Sequence, residues 1–218
     1  MKGIIIAGGS LSGVNEIKKY LTADTIVVCA DAGYNHIKDS DIKPDAVIGD
    51  FDSMKPDFSG RLTDKNNFEI ITYKIEKDET DTQLCIDYLA KRGVKEITLL
   101  GALGGKRIDH SVANIQLIEY SMNKGIFMKI ADGMTQIFML SGKNETIITG
   151  KAGDIVSVFA LDKASGLTYE GLKYPLTNAV VMRNLPYCVS NSMISNTCKI
   201  SVEAGKILIM HIGGENNG

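Results

Sequence analysis

Near its beginning the sequence reads KGIIIAGG at residues 2–9, a short apolar run directly before a pair of glycines. Similar runs recur up to residue 101: TIVVCAD, DAVIGD, EIITY and EITLLG. Strands buried on both faces of a parallel sheet have this nearly continuous apolar character, because neither face meets solvent. The runs therefore predict a parallel sheet that starts with residues 2–7.

Helical patterns separate these apolar runs. The candidate helices are GVNEIKKYL, TDTQLCIDYLAKRG and DHSVANIQLIEYSMNKG. In the second, Leu84 and Tyr88 are four residues apart on one face, and Gly93 suits the position just after a helix. Alternation of strands and helices predicts a doubly wound α/β fold with a mostly parallel sheet.

The helical pattern ends near Gly125. Short apolar runs then follow, split by Gly, Asn, Asp and Lys: IFMKIADG, TQIFMLSG, NETIITG, DIVSVFAL, NAVVMRN, CKISVEAG and KILIMHIGG. Many turn signals at short spacing favour an antiparallel sandwich or barrel. We place the boundary within 123–134 and predict two domains, residues 1–125 and residues 126–218.

The composition narrows the class of protein. The chain has 218 residues, 44% hydrophobic and 23% charged, with a net charge of −2. No apolar run reaches the length of a membrane span, and no basic face for nucleic acid is indicated. Four cysteines without a CxxC pair favour reduced core thiols in a cytoplasmic protein over disulfides or zinc.

Glycine and acidic residues recur at the predicted strand ends. In open α/β sheets ligands bind at the carboxyl ends of the strands. The segments that fall there, or just before a helix, are Ala7–Ser10, Asp31–Gly33, Gly49–Ser53, Asp78–Asp81 and Gly101–His110. This concentration predicts the functional site.

Asp50 and Asp52 are the first candidate metal ligands. In an extended segment they share one face while Phe51 takes the other, with α-carbons about 7 Å apart. Both carboxylates could then approach one Mg²⁺, which prefers a few carboxylates together with phosphate oxygens and water. The alternative, that Asp52 or Ser53 caps a helix or turn, explains one residue but not the pair.

Asp78 and Asp81 have a strong structural alternative. Asp78 could be an N-cap with Asp81 in the first helical turn, where acidic residues are favourable. Beside the other aspartates we favour Asp81 as a third magnesium ligand and leave Asp78 open.

The glycine pairs permit close approach of the main chain to phosphate. These are Gly8–Gly9 and Gly104–Gly105, although neither a Walker A motif nor a complete GxGxxG is present. Lys106 or Arg107 could neutralise phosphate, or both could be solvated loop residues. His110 could act as a base, or bond to the main chain as a structural histidine.

Together these segments resemble the thiamine pyrophosphokinase family. The matching stretches are ADAG at 30–33, PDAVIGDFDS at 44–53, EKDETD at 76–81, GALGGKRIDHSVANI at 101–115, GLKYPL at 171–176 and VSNS at 189–192. The resemblance implies an α/β catalytic domain, a C-terminal β-sandwich, and a homodimer with active sites near the interface. It also implies transfer of pyrophosphate from ATP to the hydroxyl of thiamine with Mg²⁺, which leaves AMP.

The resemblance also implies roles for particular residues. The acidic active-site positions are Asp31, Asp50, Asp52 and Asp81. Thr80 and Asp109 fall at neighbouring motif positions, where Asp109 is predicted to be catalytic and Thr80 to bind the nucleotide. Ser190 and Asn191 fall on the segment that contacts thiamine, although a turn between strands is the alternative.

The chain departs from the family pattern in three places. Lys106 lengthens the GGRxDH loop by one residue, so either Lys106 or Arg107 could meet phosphate. Ser192 stands where the family often has Glu. The chain has no Trp, which leaves Tyr174 and Tyr187 as candidates to stack on thiamine.

Two other functions compete: a pyrophosphokinase for another alcohol such as a hydroxymethylpterin, and a nucleotide- or thiamine-sensing module without turnover.

Overall fold

The structure, a computed structural model, describes residues 1–51, 68–74, 76, 78–105 and 107–213. Three residues singled out from the sequence, Asp52, Ser53 and Lys106, lie outside these ranges. The chain divides into two compact units, Met1–Gly133 and Met134–Gly218.

The first unit is built on parallel strands in the order β6-β5-β1-β2-β3-β4. Their bounds are β1 Lys2–Ile6, β2 Thr25–Ala30, β3 Ala46–Gly49, β4 Glu69–Thr72, β5 Glu96–Leu100 and β6 Phe127–Asp132. The inner strands are almost wholly buried, as their continuous apolar sequences predict. The parallel sheet is therefore confirmed.

Helices connect the strands of this sheet. They are α1 Val14–Lys18, a 3-10 helix Asp31–His36, α2 Asp81–Lys91 and α3 Ile108–Asn123. The long second and third candidates are confirmed, and Gly93 ends α2 at φ +77°, as expected of a residue just past a helix. The first candidate forms a shorter helix than its sequence pattern predicts, with only five helical residues. No helix in the described ranges is long and apolar enough to cross a membrane.

The division after Gly133 lies inside the range 123–134 but beyond residue 125, where the sequence-based first domain ends. The sequence pattern assigns the run IFMKIADG to the second half, yet this run forms β6, which pairs in parallel with β5. A short strand that follows a helix has the same apolar pattern in either kind of sheet, and only its partner decides which sheet it joins.

The second unit is an antiparallel β-sandwich. One sheet has the order β12-β9-β14-β7 and the other β11-β10-β13-β8. The strands are β7 Thr135–Ser141, β8 Asn144–Thr149, β9 Ile155–Ala160, β10 Lys163–Glu170, β11 Leu176–Met182, β12 Asn191–Ser192, β13 Thr197–Val202 and β14 Lys206–Ile212. Val158 and Ile209 of the first sheet share one core with Leu167 and Ile200 of the second. This packing selects the sandwich over the barrel.

Candidate active site

A cavity of about 680 Å³ lies at the carboxyl ends of the first unit's strands. The residues from the sequence analysis that line it are Gly8, Gly9, Asp31, Asp50, Thr80, Asp81, Gly104, Gly105, Arg107, Asp109 and His110. These residues follow β1, β2, β3 and β5 or begin α2 and α3. The carboxyl edge of the sheet therefore brings the separate motifs into one cavity.

Three carboxylates form the acidic centre of the cavity. Asp31, Asp50 and Asp81 each offer an oxygen, and the three oxygens lie within 4.8 Å of one another. Asp31 is buried, and the other two are half-buried. Carboxylates gathered this closely repel one another unless a cation neutralises them, and Mg²⁺ favours such oxygen ligands. The donor set fits a magnesium ion.

Asp31 occupies its place through unusual backbone geometry. Its φ is +42°, in the left-handed region that most residues avoid, at a cost of about 1–2 kcal/mol. The neighbouring strand reaches it through Gly49, where an added Cβ would lie 2.9 Å from the Cβ of Asp31. The glycine before Asp50 thus allows two carboxylate-bearing segments to approach each other.

The local geometry around Asp50 differs from the extended segment expected from the sequence. Phe51 has a φ of +60°, so the chain turns sharply after β3. The side chain of Phe51 packs against the core of the first unit. The extended backbone expected at Phe51 is therefore not found, and Asp50 lies beside Asp31 and Asp81. Asp52 lies outside the described residues.

Thr80, and not Asp78, is the N-cap of α2. The Thr80 hydroxyl oxygen accepts a hydrogen bond from the main-chain N–H of Gln83 at 3.2 Å. The helix begins at Asp81, which places that carboxylate in the first turn, where the helix dipole favours negative charge. The suggestion that Asp78 caps the helix is wrong, because the hydroxyl two residues later has the required geometry.

The glycine loops that follow β1 and β5 form part of the cavity wall. The N–H of Gly9 donates to the carbonyl of Gly101 at 2.8 Å, and that of Ser10 to the carbonyl of Leu103 at 3.0 Å. An added Cβ on Gly9 would lie 2.5 Å from the Gly101 oxygen. Nε2 of His36 donates to the Gly9 carbonyl at 3.0 Å. The loops after β1 and β5 are thus held together at a distance that only glycine permits.

Arg107 and Asp109 form an exposed, two-pronged ion pair. Nε of Arg107 donates to Oδ1 of Asp109 at 2.9 Å, and Nη2 donates to Oδ2 at 2.6 Å. The hydrogen bond from Arg107, followed by its charge, lowers the pKa of Asp109 to about 2. Asp109, predicted as catalytic, therefore lines the cavity as the partner of Arg107 and stands apart from the three-carboxylate cluster.

Sequence reasoning missed some residues of the cavity. Asn114 is buried, and its Nδ2 donates to the carbonyl of Ala102 at 2.8 Å, which ties α3 to the loop after β5. His110, one helical turn earlier, is exposed and also lines the cavity. Their i, i+4 spacing is the signal that could have identified Asn114.

The segment expected to contact thiamine lies in the second unit. Ser190 is exposed with φ +58°, and its N–H donates to Oγ of Ser157 at 2.9 Å. Asn191 is buried, and its side chain holds the main chain of Tyr174. Oδ1 accepts from the Tyr174 N–H at 3.0 Å, while Nδ2 donates to the Tyr174 carbonyl at 2.7 Å. Asn191 thereby joins the GLKYPL and VSNS segments to each other.

The two tyrosines considered as stacking partners are both exposed. Tyr174 is 61% exposed and Tyr187 is 55% exposed. The hydroxyl of Tyr187 donates to the carbonyl of Val180 at 3.0 Å, which fixes the direction of its ring. Either ring is accessible to a ligand of the second unit.

Comparison with known proteins assigns both units to one family. The family model described as thiamin pyrophosphokinase, catalytic domain, matches residues 17–130, and the one described as its vitamin B1 binding domain matches residues 144–207. A thiamine pyrophosphokinase of Bacillus subtilis is 30% identical, over 94% of this chain and 95% of that protein.

Solved structures agree with this assignment. The structure of thiamine pyrophosphokinase from Bacillus subtilis has a TM-score of 0.87 at 25% identity, covering 98% of this chain and 100% of that one. A thiamin pyrophosphokinase family protein from Enterococcus faecalis has a TM-score of 0.83 at 27% identity, covering 99% and 100%. The fold and the matches define an enzyme with an α/β catalytic unit and a β-sandwich. The chain belongs to the thiamine pyrophosphokinase family.

Proposed function

We propose that this enzyme transfers the terminal pyrophosphate of ATP to the hydroxyl of thiamine, giving thiamine diphosphate and AMP, and that it requires Mg²⁺. The observation that carries the proposal is the meeting of Asp31, Asp50 and Asp81 in a cavity walled by glycine loops. Polyphosphate needs such a combination: carboxylates that hold a cation, and main chain close enough to donate N–H groups to phosphate oxygens.

In this proposal Asp31, Asp50 and Asp81 hold the magnesium ion, with Asp52 as a further ligand from the same motif. When bound, Mg²⁺ supplies positive charge against the phosphate oxygens. The glycine pairs Gly8–Gly9 and Gly104–Gly105 let the main chain approach the phosphates. One aspartate accepts the proton of the thiamine hydroxyl as that oxygen attacks the β-phosphorus in line and AMP leaves.

Arg107 contributes a cation that the protein already orients. Its guanidinium is held by Asp109 at the cavity, while its side chain remains 69% exposed. An exposed ion pair is weak, so a phosphate can replace Asp109 as the partner of Arg107 at little cost. Lys106, Thr80 and His110 complete the proposed nucleotide-binding set.

For thiamine we propose the segment around Ser190 and Asn191. The exposed Ser190 hydroxyl is free to meet the edge of a heterocycle, while Asn191 holds Tyr174 in place beside it. We further propose a homodimer, which the family resemblance implies, and a cytoplasmic location, which four cysteines without a CxxC pair favour. Light scattering on the purified protein would test the dimer.

The test is a reaction of purified protein with ATP, Mg²⁺ and thiamine, followed by chromatography of the nucleotides and thiamine esters. We expect thiamine diphosphate and AMP in equal amounts. ADP with thiamine monophosphate would contradict pyrophosphoryl transfer. AMP that forms with a hydroxymethylpterin but not with thiamine would point to the other acceptor, and binding without any turnover would point to a sensor.

A further inference from the structure

Glu16 is a buried carboxylate that the proposed chemistry leaves unused. It lies in α1 and is 3% exposed, the lowest exposure of any acidic residue that the structure describes. No basic group in the described ranges forms an ion pair with it. Removing a carboxylate from water is costly unless hydrogen bonds compensate. The hydrogen-bond partners of Glu16 therefore indicate which segments it stabilises.

Both carboxylate oxygens of Glu16 are occupied. Oε2 accepts from the hydroxyl of Ser12 and, at 3.4 Å, from the N–H of Ser12. Oε1 accepts from the N–H of Gly133, directly after β6. The carboxylate thus joins the loop that follows β1 to the end of another strand of the same unit.

That loop carries one of the two glycine pairs of the cavity. Its near end is held where Gly9 and Ser10 donate to the carbonyls of Gly101 and Leu103. Its far end is held at Ser12 by Glu16. Gly9 lines the cavity, whereas Glu16 does not. Any effect of Glu16 on a ligand therefore has to pass through the loop.

We infer that Glu16 is a positioning residue that fixes the loop of Gly8 to Ser12 in the conformation that receives the nucleotide phosphates. The inference rests on the proposed nucleotide-binding function of the cavity. A loop held at both ends is already ordered when the ligand arrives, whereas a loop held at one end must become ordered on binding.

The experiment measures ATP binding directly, by calorimetry with Mg²⁺ and without thiamine, alongside the melting temperature. Glu16→Gln keeps the shape but replaces one acceptor oxygen with a donor. Ser12→Ala removes one bond and serves if Glu16→Gln does not fold. Ile17→Val is the matched control. Ile17 is fully buried on the same short helix, and its apolar side chain cannot hydrogen-bond to the loop.

We expect Glu16→Gln to raise the Kd for ATP about tenfold and Ser12→Ala to raise it about threefold. Each variant loses hydrogen bonding that holds the loop in its ordered conformation. The thiamine KM should change less than about twofold. Ile17→Val should lower the melting temperature and leave the Kd as in the wild type. If Glu16→Gln and Ser12→Ala both bind ATP like the wild type, Glu16 has only a structural role and the inference is wrong. If the wild-type protein itself binds no ATP, the proposed function fails, and this inference with it.

Discussion

A Cβ on Gly49 would lie 2.9 Å from the Cβ of Asp31. The last residue of β3 must therefore lack a side chain for the aspartate after β2 to reach the carboxylate cluster. Asp50, the next residue, is itself a member of that cluster. The Gly-Asp pair at 49–50 thus has two separate functions, one of spacing and one of ligation.

Gly49→Ala should damage the site and the fold together. The methyl group would collide with Asp31, and overpacking of this kind costs about 1–3 kcal/mol. We expect a lower melting temperature and a weaker response of turnover to Mg²⁺. Gly213→Ala is the control, because a Cβ there would meet its nearest atom at 3.4 Å and should be accommodated. Equal behaviour of the two variants would contradict the close-contact argument.

Neutralising the cluster should remove activity without unfolding the protein. Asp31→Asn, Asp50→Asn and Asp81→Asn each keep the side-chain shape and remove a charge that Mg²⁺ requires, so turnover should fall about 100-fold or more. Steady-state rates across a magnesium titration would measure this. Asp78→Asn is the control, since Asp78 is exposed and does not cap α2. Turnover near that of the wild type in all three variants would remove them from the metal site.

The Arg107–Asp109 pair predicts a specific dependence on pH. The pKa of Asp109 is lowered to about 2 by the hydrogen bond from Arg107. Because folding lowers this carboxyl pKa, the stabilisation from the pair is complete above the unfolded pKa of about 3.9. It is lost as the pH falls through the folded pKa. In Arg107→Gln the Asp109 pKa should return toward about 3.9. Carbon-detected NMR titration of the Asp109 carboxyl group would measure both, and an unchanged midpoint would contradict the pairing.

Ser190 and Asn191 should respond differently to substitution. Ser190→Gly removes the hydroxyl, and glycine suits the positive φ, so we expect a raised thiamine KM with an unchanged or higher melting temperature. Asn191→Ala leaves the main chain of Tyr174 without its partner, which should cost about 1–3 kcal/mol and also raise the thiamine KM. The ATP KM should change little in both. An ATP KM that rises as much as the thiamine KM would contradict the assignment of thiamine to this segment.

The sequence by itself determined the local elements and the edge of the sheet that bears the site. Continuous apolar runs such as residues 25–30 made a parallel sheet predictable, because no solvent-facing position interrupts them. The acidic and glycine residues after those runs had to meet at one edge, since parallel strands end on the same side. The position of Gly93 marked the end of α2 in the same local way.

The tertiary structure decided which of these residues meet. Spacing indicates a pair of Asp50 and Asp52, whereas the meeting of Asp50 with Asp31 and Asp81 depends on the turn at Phe51 and the space beside Gly49. Asn191 had the sequence context of a turn or a ligand contact, and only its distance to Tyr174 identified it as a clamp. Such partners are far apart along the chain, and no local pattern encodes them. They are set by packing, which selects one arrangement among many that the same local preferences allow.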